Sequence, residues 1–291
     1  MIVTERKGDA VTVWVTADEQ NRKHPLRFSA EMAGRFLDLR KYRELIQNLV
    51  VRDLKVRYKN SAFGFVWSLL NPLFMMVVLT IVFSLVFERQ KLVDNYAAFL
   101  LVGLIPWNFT NTSLTRAVNS VLENSRLVKK VFFPREVIPI SVVLANFVHF
   151  VLAIPVLVII LMFLGVMPTL KILLLPLLML IQLELVLGIA LFISCVNVFY
   201  RDMGVALDVL LQAWFFATPI IYPHWILPLW LQKPAMANPL AAIITAYRDV
   251  LILGTFPDRN FTLGALVSST LIFIIGYVVY TRYSSVFAEE V

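Results

Sequence analysis

The chain has 291 residues, 59% of them hydrophobic and only 15% charged, against roughly 45–50% apolar and about 25% charged in soluble domains. Its apolar residues lie in long charge-poor runs, each reaching the ~18–20 residues a helix needs to cross about 30 Å of hydrocarbon, which excludes an ordinary soluble globule. The net charge of +7 is no sign of a nucleic-acid partner, because most of the 26 Lys and Arg lie before the first apolar run or in every second loop after it.

Residues 1–39 are polar and lack the apolar core of a cleavable signal, so none is expected. Within them AVTVWVT (10–16) alternates like a short strand and NRKHP (21–25) reads as a turn, compatible with a small cytoplasmic hairpin or a loose tail. From Arg40 the period becomes helical. Lys41, Glu44, Asn48, Arg52, Lys55 and Lys59 recur at steps of three and four, with Tyr42, Leu45, Ile46, Leu49, Val50 and Val56 mainly opposite. A basic amphipathic helix over 40–59 that runs straight into an apolar segment belongs in the membrane interface.

The remaining chain, 60–291, reads as an all-α integral membrane domain with six transmembrane helices, at about 63–87, 96–115, 140–164, 172–198, 204–222 and 261–281. The positive-inside rule then places both termini in the cytoplasm. Pro72, early in the first span, frees a carbonyl and permits a kink. ENSRLVKKVFFPREVIPIS (123–141) is a short cytoplasmic connection in which aromatic residues stand beside cations. That pattern suits either a docking surface or simple anchoring at the membrane surface. After the fifth span, Pro228, Pro234 and Pro239 cut an apolar external stretch (223–259) into pieces too short to cross, which predicts two re-entrant helices.

Ordinary enzyme signatures are missing from the sequence. None of the ten glycines begins G-x-x-x-x-G-K-[ST], G-x-S-x-G and H-E-x-x-H do not occur, and His24, His149 and His224 fall in three separate regions. The single cysteine, Cys195, lies in an apolar run and is read as a packing residue. Polar groups inside spans are costly and face protein or water. Gln182 and Glu184 in the fourth span, and Asp208 and Gln212 in the fifth, are of this kind; Glu184 suits a proton-coupling site or a paired structural carboxylate. The aromatics Trp67, Phe74, Trp107, Trp214 and Phe215 fit a lipid-facing belt. They also fit a pore in which rings stack on sugar faces while Asn108, Asn111 and Thr112 exchange hydrogen bonds with hydroxyls.

Five motifs then occur in order: LVVRDLKVRYKNSAFGFVWSLLNPL (49–73), NSRLVKKVFFPREVIP (124–139), NVFYRDMG (197–204), FFATPIIYP (215–223) and NPLAAIITAYRDVLILG (238–254). Over about 40–285 the chain resembles the membrane permease of bacterial ABC exporters for cell-surface polysaccharide, of the O-antigen and wall teichoic acid type. Residues 1–39 fall outside the likeness, and Glu184 belongs to none of its motifs.

The resemblance implies a transport subunit rather than an enzyme, without a cofactor of its own, in the cytoplasmic (inner) membrane. Two copies would form a homodimer, and two copies of a separate ATPase would bind Mg-ATP beneath it. The cargo would be a polysaccharide on undecaprenyl diphosphate; teichoic acid, a drug or a lipid are the alternatives within the superfamily, and a membrane glycosyltransferase is a more remote one. Residues 126–136 would be the coupling helix that meets the ATPase, through Leu127, Lys130, Val131, Phe132, Phe133, Pro134, Arg135 and Glu136. The interface helix would act as a gate helix, with Arg52, Lys55, Arg57, Tyr58 and Lys59 near the lipid diphosphate. Residues 224–252 would form external gate helices carrying Trp225, Trp230, Tyr247 and Arg248. The first and fifth spans would line the channel, with Trp67, Phe74, Trp107, Asn108, Trp214 and Phe215 as its candidate walls.

Overall fold

A computed structural model describes residues 6–7, 10–11, 42–58, 66–86, 93, 95–130 and 133–291. Residues 1–44 form one unit and 45–291 another. In the first, Arg6–Lys7 (β1) pairs antiparallel with Ala10–Val11 (β2), Arg6 opposite Val11. Of the expected 10–16 strand only the first two residues are seen as strand, and the rest lies outside the described residues.

The larger unit is helical. Helix α1 spans Arg43–Tyr58, with Leu49 buried and Arg52 and Lys55 exposed; Val56, expected on the apolar side, is 66% exposed. Helix α2 (Val66–Val86) contains Pro72 and presents Phe74, Met75, Val77, Val78, Ile81 and Val82 to the outside. An apolar face left open in this way is natural where the solvent is lipid.

Helix α3 (Tyr96–Glu123) is the centre of the bundle. Its start is fixed by Asn95, whose side-chain oxygen accepts from the Ala98 N–H at 3.1 Å while its Nδ2 donates to the Leu164 carbonyl at 2.7 Å. From Ala98 to Trp107 every residue is buried, as expected of a helix apolar all round. Pro106 cannot continue the helical ladder, and its own carbonyl is taken by Gln182 Nε2 at 2.8 Å.

After a short helix α4 (Ser125–Lys130) come α5 (Val137–Phe163) and α6 (Leu175–Phe199), both packed on α3. Helix α7 (Met203–Ala217) stops five residues before the expected end of the fifth span. Thr218 precedes Pro219, and its ψ of 132° is the extended geometry a following proline imposes. Helices α8 (Leu229–Ala237) and α9 (Pro239–Arg248) follow, α9 running on through a π turn to Leu253; the two arms meet at 97°. Helix α10 (Arg259–Tyr283) is capped by Asp258, which accepts from the N–H groups of Asn260 and Phe261. Short turns lead to α11 (Phe287–Glu290).

Helices α6 and α10 lie in backbone contact. A Cβ on Gly188 would come within 2.6 Å of the Phe273 backbone, and one on Gly276 would collide with the Gly188 carbonyl. Paired glycines are how apolar helices approach this closely. By length and apolarity, Val137–Phe163, Leu170–Phe199 and Arg259–Val286 qualify to cross a membrane, and the bent pair Leu229–Ala237 with Pro239–Leu253 qualifies as a broken or re-entrant span. Leu70–Val82 and Met203–Ala217 are shorter apolar helices.

Candidate functional site

Three helices leave a recess of about 370 Å³ between them. Helix α2 supplies Asn71, Pro72 and Met75; α3 supplies Leu104, Trp107, Asn108 and Asn111; α7 supplies Asp208, Leu211, Gln212, Phe215 and Phe216. The periodicity explains the grouping. Asn108 and Asn111 are one turn apart on α3, as are Asp208 and Gln212 on α7, so each helix offers one polar strip. Trp107 anchors the aromatic side, with the Phe215 ring at 5.4 Å and the Trp214 ring edge-on at 6.0 Å.

Of the residues expected to line a channel, Trp107, Asn108 and Phe215 share this recess. Trp214 stands beside it and donates its indole N–H to Asn238 Oδ1 at 3.2 Å. Phe74 points away, 74% exposed on the outer face of α2. The side chain of Trp67 lies outside what is described. Asp208 and Gln212 stand out in the sequence only as costly polar groups; the i, i+4 spacing that puts them on one face was the available signal for placing them here. Asn71 carries no such signal beyond its position next to Pro72.

At the opposite extreme of solvation is Arg248, at the end of α9 and only 6% exposed. Its Nη1 donates to the Pro219 carbonyl at 2.7 Å, and its Nη2 to those of Ile220 at 2.7 Å and Phe99 at 3.4 Å. The guanidinium carbon lies 3.4 Å from the Phe99 ring centre, a cation–π contact. Tyr96 stacks on Phe99 and donates its hydroxyl to the Ile221 carbonyl at 2.7 Å, so the 219–221 segment is held from two sides. Tyr247 is fully buried, edge-on to Phe150. Burial, and secondarily the Arg248 charge, holds the imidazole of His224 below its ordinary pKa.

Asn238, at the bend between α8 and α9, completes this cluster. Its Oδ1 accepts the Leu240 N–H, and its Nδ2 donates to Thr218 Oγ1 at 2.9 Å. The end of α7 is thereby tied to the bent pair. Trp225 and Trp230 remain exposed.

A third cluster surrounds the 123–141 connection. Val128 on α4 is buried and Leu127 half-buried. Phe133, Pro134 and Arg135 are half-buried, and Glu136 is buried. Arg135 Nη1 donates to the Ser284 carbonyl, and the Tyr280 hydroxyl donates to the Arg135 carbonyl at 2.9 Å. Phe287 of α11 is buried edge-on against Tyr280 at 5.3 Å and Phe199 at 6.1 Å. The connection is thus clasped to the end of α10, which the sequence does not announce. Val131, Phe132 and the Lys130 side chain lie outside the described residues.

On α1, Arg52 is bound by its neighbour Asp53 at 3.1 Å, an exposed pair of little energetic weight. Lys55 is exposed; the Arg57 and Tyr58 side chains and Lys59 lie outside what is described. Glu184 is half-buried on α6.

Residues 44–252 match the family model of the ABC-2 type transporter, which spans well over half the chain. The chain belongs to the ABC-2 transporter family. It is 35% identical over 225 residues to the O-antigen export system permease protein RfbA of Myxococcus xanthus, covering 77% of this chain and 86% of that one. With RfbA of Klebsiella pneumoniae it shares 32% identity over 247 residues, 84% of this chain and 94% of that one. The polysialic acid transport protein KpsM of Escherichia coli is 25% identical over 232 residues, 78% and 88% of the two chains. The protein is therefore a multi-pass membrane permease, and ABC-2 permeases rely on a separate ATPase subunit for ATP hydrolysis.

Proposed function

We propose that this permease carries a lipid-linked polysaccharide of the O-antigen class, held on undecaprenyl diphosphate, outward across the cytoplasmic membrane. The observation that carries the reading is the recess, where aromatic rings and carboxamides meet on three helices of a chain similar to O-antigen export permeases along most of its length. Rings stack on sugar faces with little regard to sugar identity, and carboxamides both donate to and accept from hydroxyls. Such a wall lets a polymer slide where a set of dedicated hydrogen bonds would hold it.

Six spans follow in this reading: α2, α3, α5, α6, α7 with the extended 218–222, and α10. Both termini are cytoplasmic, and the bent α8–α9 pair dips into the outer leaflet as an external gate. Two copies face each other across α2 and α7 to form the channel. Two ATPase subunits holding Mg-ATP seat against 126–136, and the clasp of Arg135 to Ser284 passes their motion to α10. Helix α1 draws in the diphosphate through Arg52, Lys55, Arg57 and Lys59, each cation worth about 1 kcal/mol near an anionic surface.

The test is complementation. Expressed with a partner ATPase in a strain that assembles lipid-linked O-polysaccharide but lacks its own permease, the chain is expected to restore surface polymer and to retain the ATPase through purification. Polymer that stays inside while the ATPase remains bound would remove the cargo assignment.

A further inference from the structure

We infer that the recess between α2, α3 and α7 is a charge-selective sugar subsite, accepting uncharged or amino-bearing pyranose units and rejecting uronic, sialic or other acidic ones. The inference rests on the polysaccharide reading and adds the class of sugar to it. At about 370 Å³ the recess lies at the small end of ligand pockets, about 300–1,000 Å³. Its polar groups are unusual for an apolar bundle. The side chains of Asn71, Asn111, Asp208 and Gln212 have no hydrogen-bond or ion-pair partner among the described residues. The buried Gln182 and Asn197 donate to the Pro106 and Val118 carbonyls, whereas Asn71, Asp208 and Gln212 are exposed and Asn111 is half-buried. Groups left open in a membrane domain face water or a polar ligand.

The kinds of group present decide which ligand. Three of the four open side chains are carboxamides, which suit hydroxyls in either direction. The fourth, Asp208, is an acceptor and carries a charge when ionised. Among the described residues no Lys, Arg or His lines the recess to offset it. A sugar hydroxyl donates to Asp208 and a sugar ammonium pairs with it. A sugar carboxylate meets a like charge beside Leu211 and the Phe215 ring, with no cation among the described lining residues to compensate. Trp107 and Phe215 supply the stacking surface that holds any pyranose ring, so attraction is general and the carboxylate does the sorting. Asp208 lies five residues into α7, about 7.5 Å along the helix from Met203, so on the proposed topology the sorting occurs in the cytoplasmic half, before the polymer is committed.

The experiment uses the permease–ATPase complex in lipid nanodiscs, with tryptophan fluorescence titrated by three heptasaccharides: maltoheptaose (uncharged), the glucosamine heptamer (amino) and heptagalacturonate (acidic). In the native protein the acidic probe is expected to bind about tenfold more weakly than the uncharged one, the scale of one uncompensated like-charge contact. Asp208→Asn, which keeps the shape, should bring the two within about threefold, and Asp208→Glu should restore the gap. A purely structural Asp208 would shift all three affinities together and leave their ratio unmoved. An unmoved ratio, equal affinities in the native protein, or no saturable binding of any probe would each overturn the inference. Surface export of O-polysaccharide is scored in parallel. Export that continues while the ratio stays fixed removes the charge filter alone, whereas its absence in the native protein removes the polysaccharide reading.

Discussion

The cluster around Arg248 and the recess around Asp208 both place polar side chains on apolar helices, and they dispose of them in opposite ways. At Arg248 the chain closes on its own cation: three backbone carbonyls and an aromatic face surround the guanidinium, and α3, α9 and the 219–221 segment are joined by it. At Asp208 the protein supplies no partner of its own among the described residues, and the polar groups look into a cavity. Polarity that the fold satisfies internally is architecture; polarity it leaves open is available for cargo. Stability should therefore respond to mutation in the first region, and transport in the second.

The sharpest way to break this contrast is Arg248→Met. The change leaves the Pro219 and Ile220 carbonyls buried without their donors and removes the cation from the Phe99 face. Each buried carbonyl left without its donor costs about 1–3 kcal/mol. We expect a large drop in the unfolding midpoint of the purified permease and poor yield from membranes. Arg248→Lys should recover only part of it, since an ammonium cannot span carbonyls on two segments as a planar fork does. Normal stability of Arg248→Met would show that the network is incidental.

A smaller insult to the same cluster is Gly103→Ala. A Cβ there would lie 2.7 Å from Arg248 Nη2 and 3.2 Å from the Ile220 carbonyl oxygen. One of the two must move, and overpacking of this kind costs about 1–3 kcal/mol. The expected midpoint lies between those of the native protein and Arg248→Met. In the double variant the Gly103 penalty should shrink, because the nearer of the two atoms it strikes is gone and only the Ile220 contacts remain.

These long-range contacts mark where sequence reading stops. The apolar runs gave the helices because length and charge exclusion are local properties, and Pro228 and Pro239 marked the starts of the two short helices for the same reason. Pro234, expected to break the stretch, lies inside α8. The end of α7 was legible too, in Thr218-Pro219, although the apolar run suggested a longer span. Nothing local tells that Arg248 reaches carbonyls 28 and 29 residues back and another 149 away. Likewise, the spacing of Asp208 and Gln212 reveals that they share a face, but not that Asn71 and Asn111 stand opposite. Arg135 and Phe287 show the same limit: the clasp joins positions with no pattern in common.

Gln182 sits between the two extremes. It is fully buried, and its Nε2 donates to the Pro106 carbonyl and to Thr110 Oγ1 at 3.0 Å, while its Oε1 has no hydrogen-bond partner among the described residues. Gln182→Leu removes two donations but also an unpaired buried acceptor, and Thr110 Oγ1 still donates to Pro106. The terms offset in part, so a net loss of about 1 kcal/mol is expected. A loss as large as that of Arg248→Met would mean that the α3–α6 contact depends on this one side chain.

The smallest effect on stability, and the most telling, is expected from Asn111→Leu combined with Gln212→Leu. Both residues lie in helix interiors, where leucine is at least as good a helix former as asparagine or glutamine. Neither side chain has a hydrogen-bond partner among the described residues, so no bond within the fold is lost. Each gives way to an apolar group beside Leu104 and Leu211, which already line the same recess. The unfolding midpoint should therefore change by no more than about 0.5 kcal/mol in equivalent stability, the range of substitutions that touch no network. Export should respond differently. With two of the three open carboxamides gone, hydroxyls that leave water for the recess find no replacement partner, at about 1–3 kcal/mol for each unpaired group. Polymer appearance at the surface should fall at least severalfold while the ATPase remains bound to the complex. If stability collapses instead, the recess is part of the fold's own hydrogen bonding, and the division between the two regions is lost.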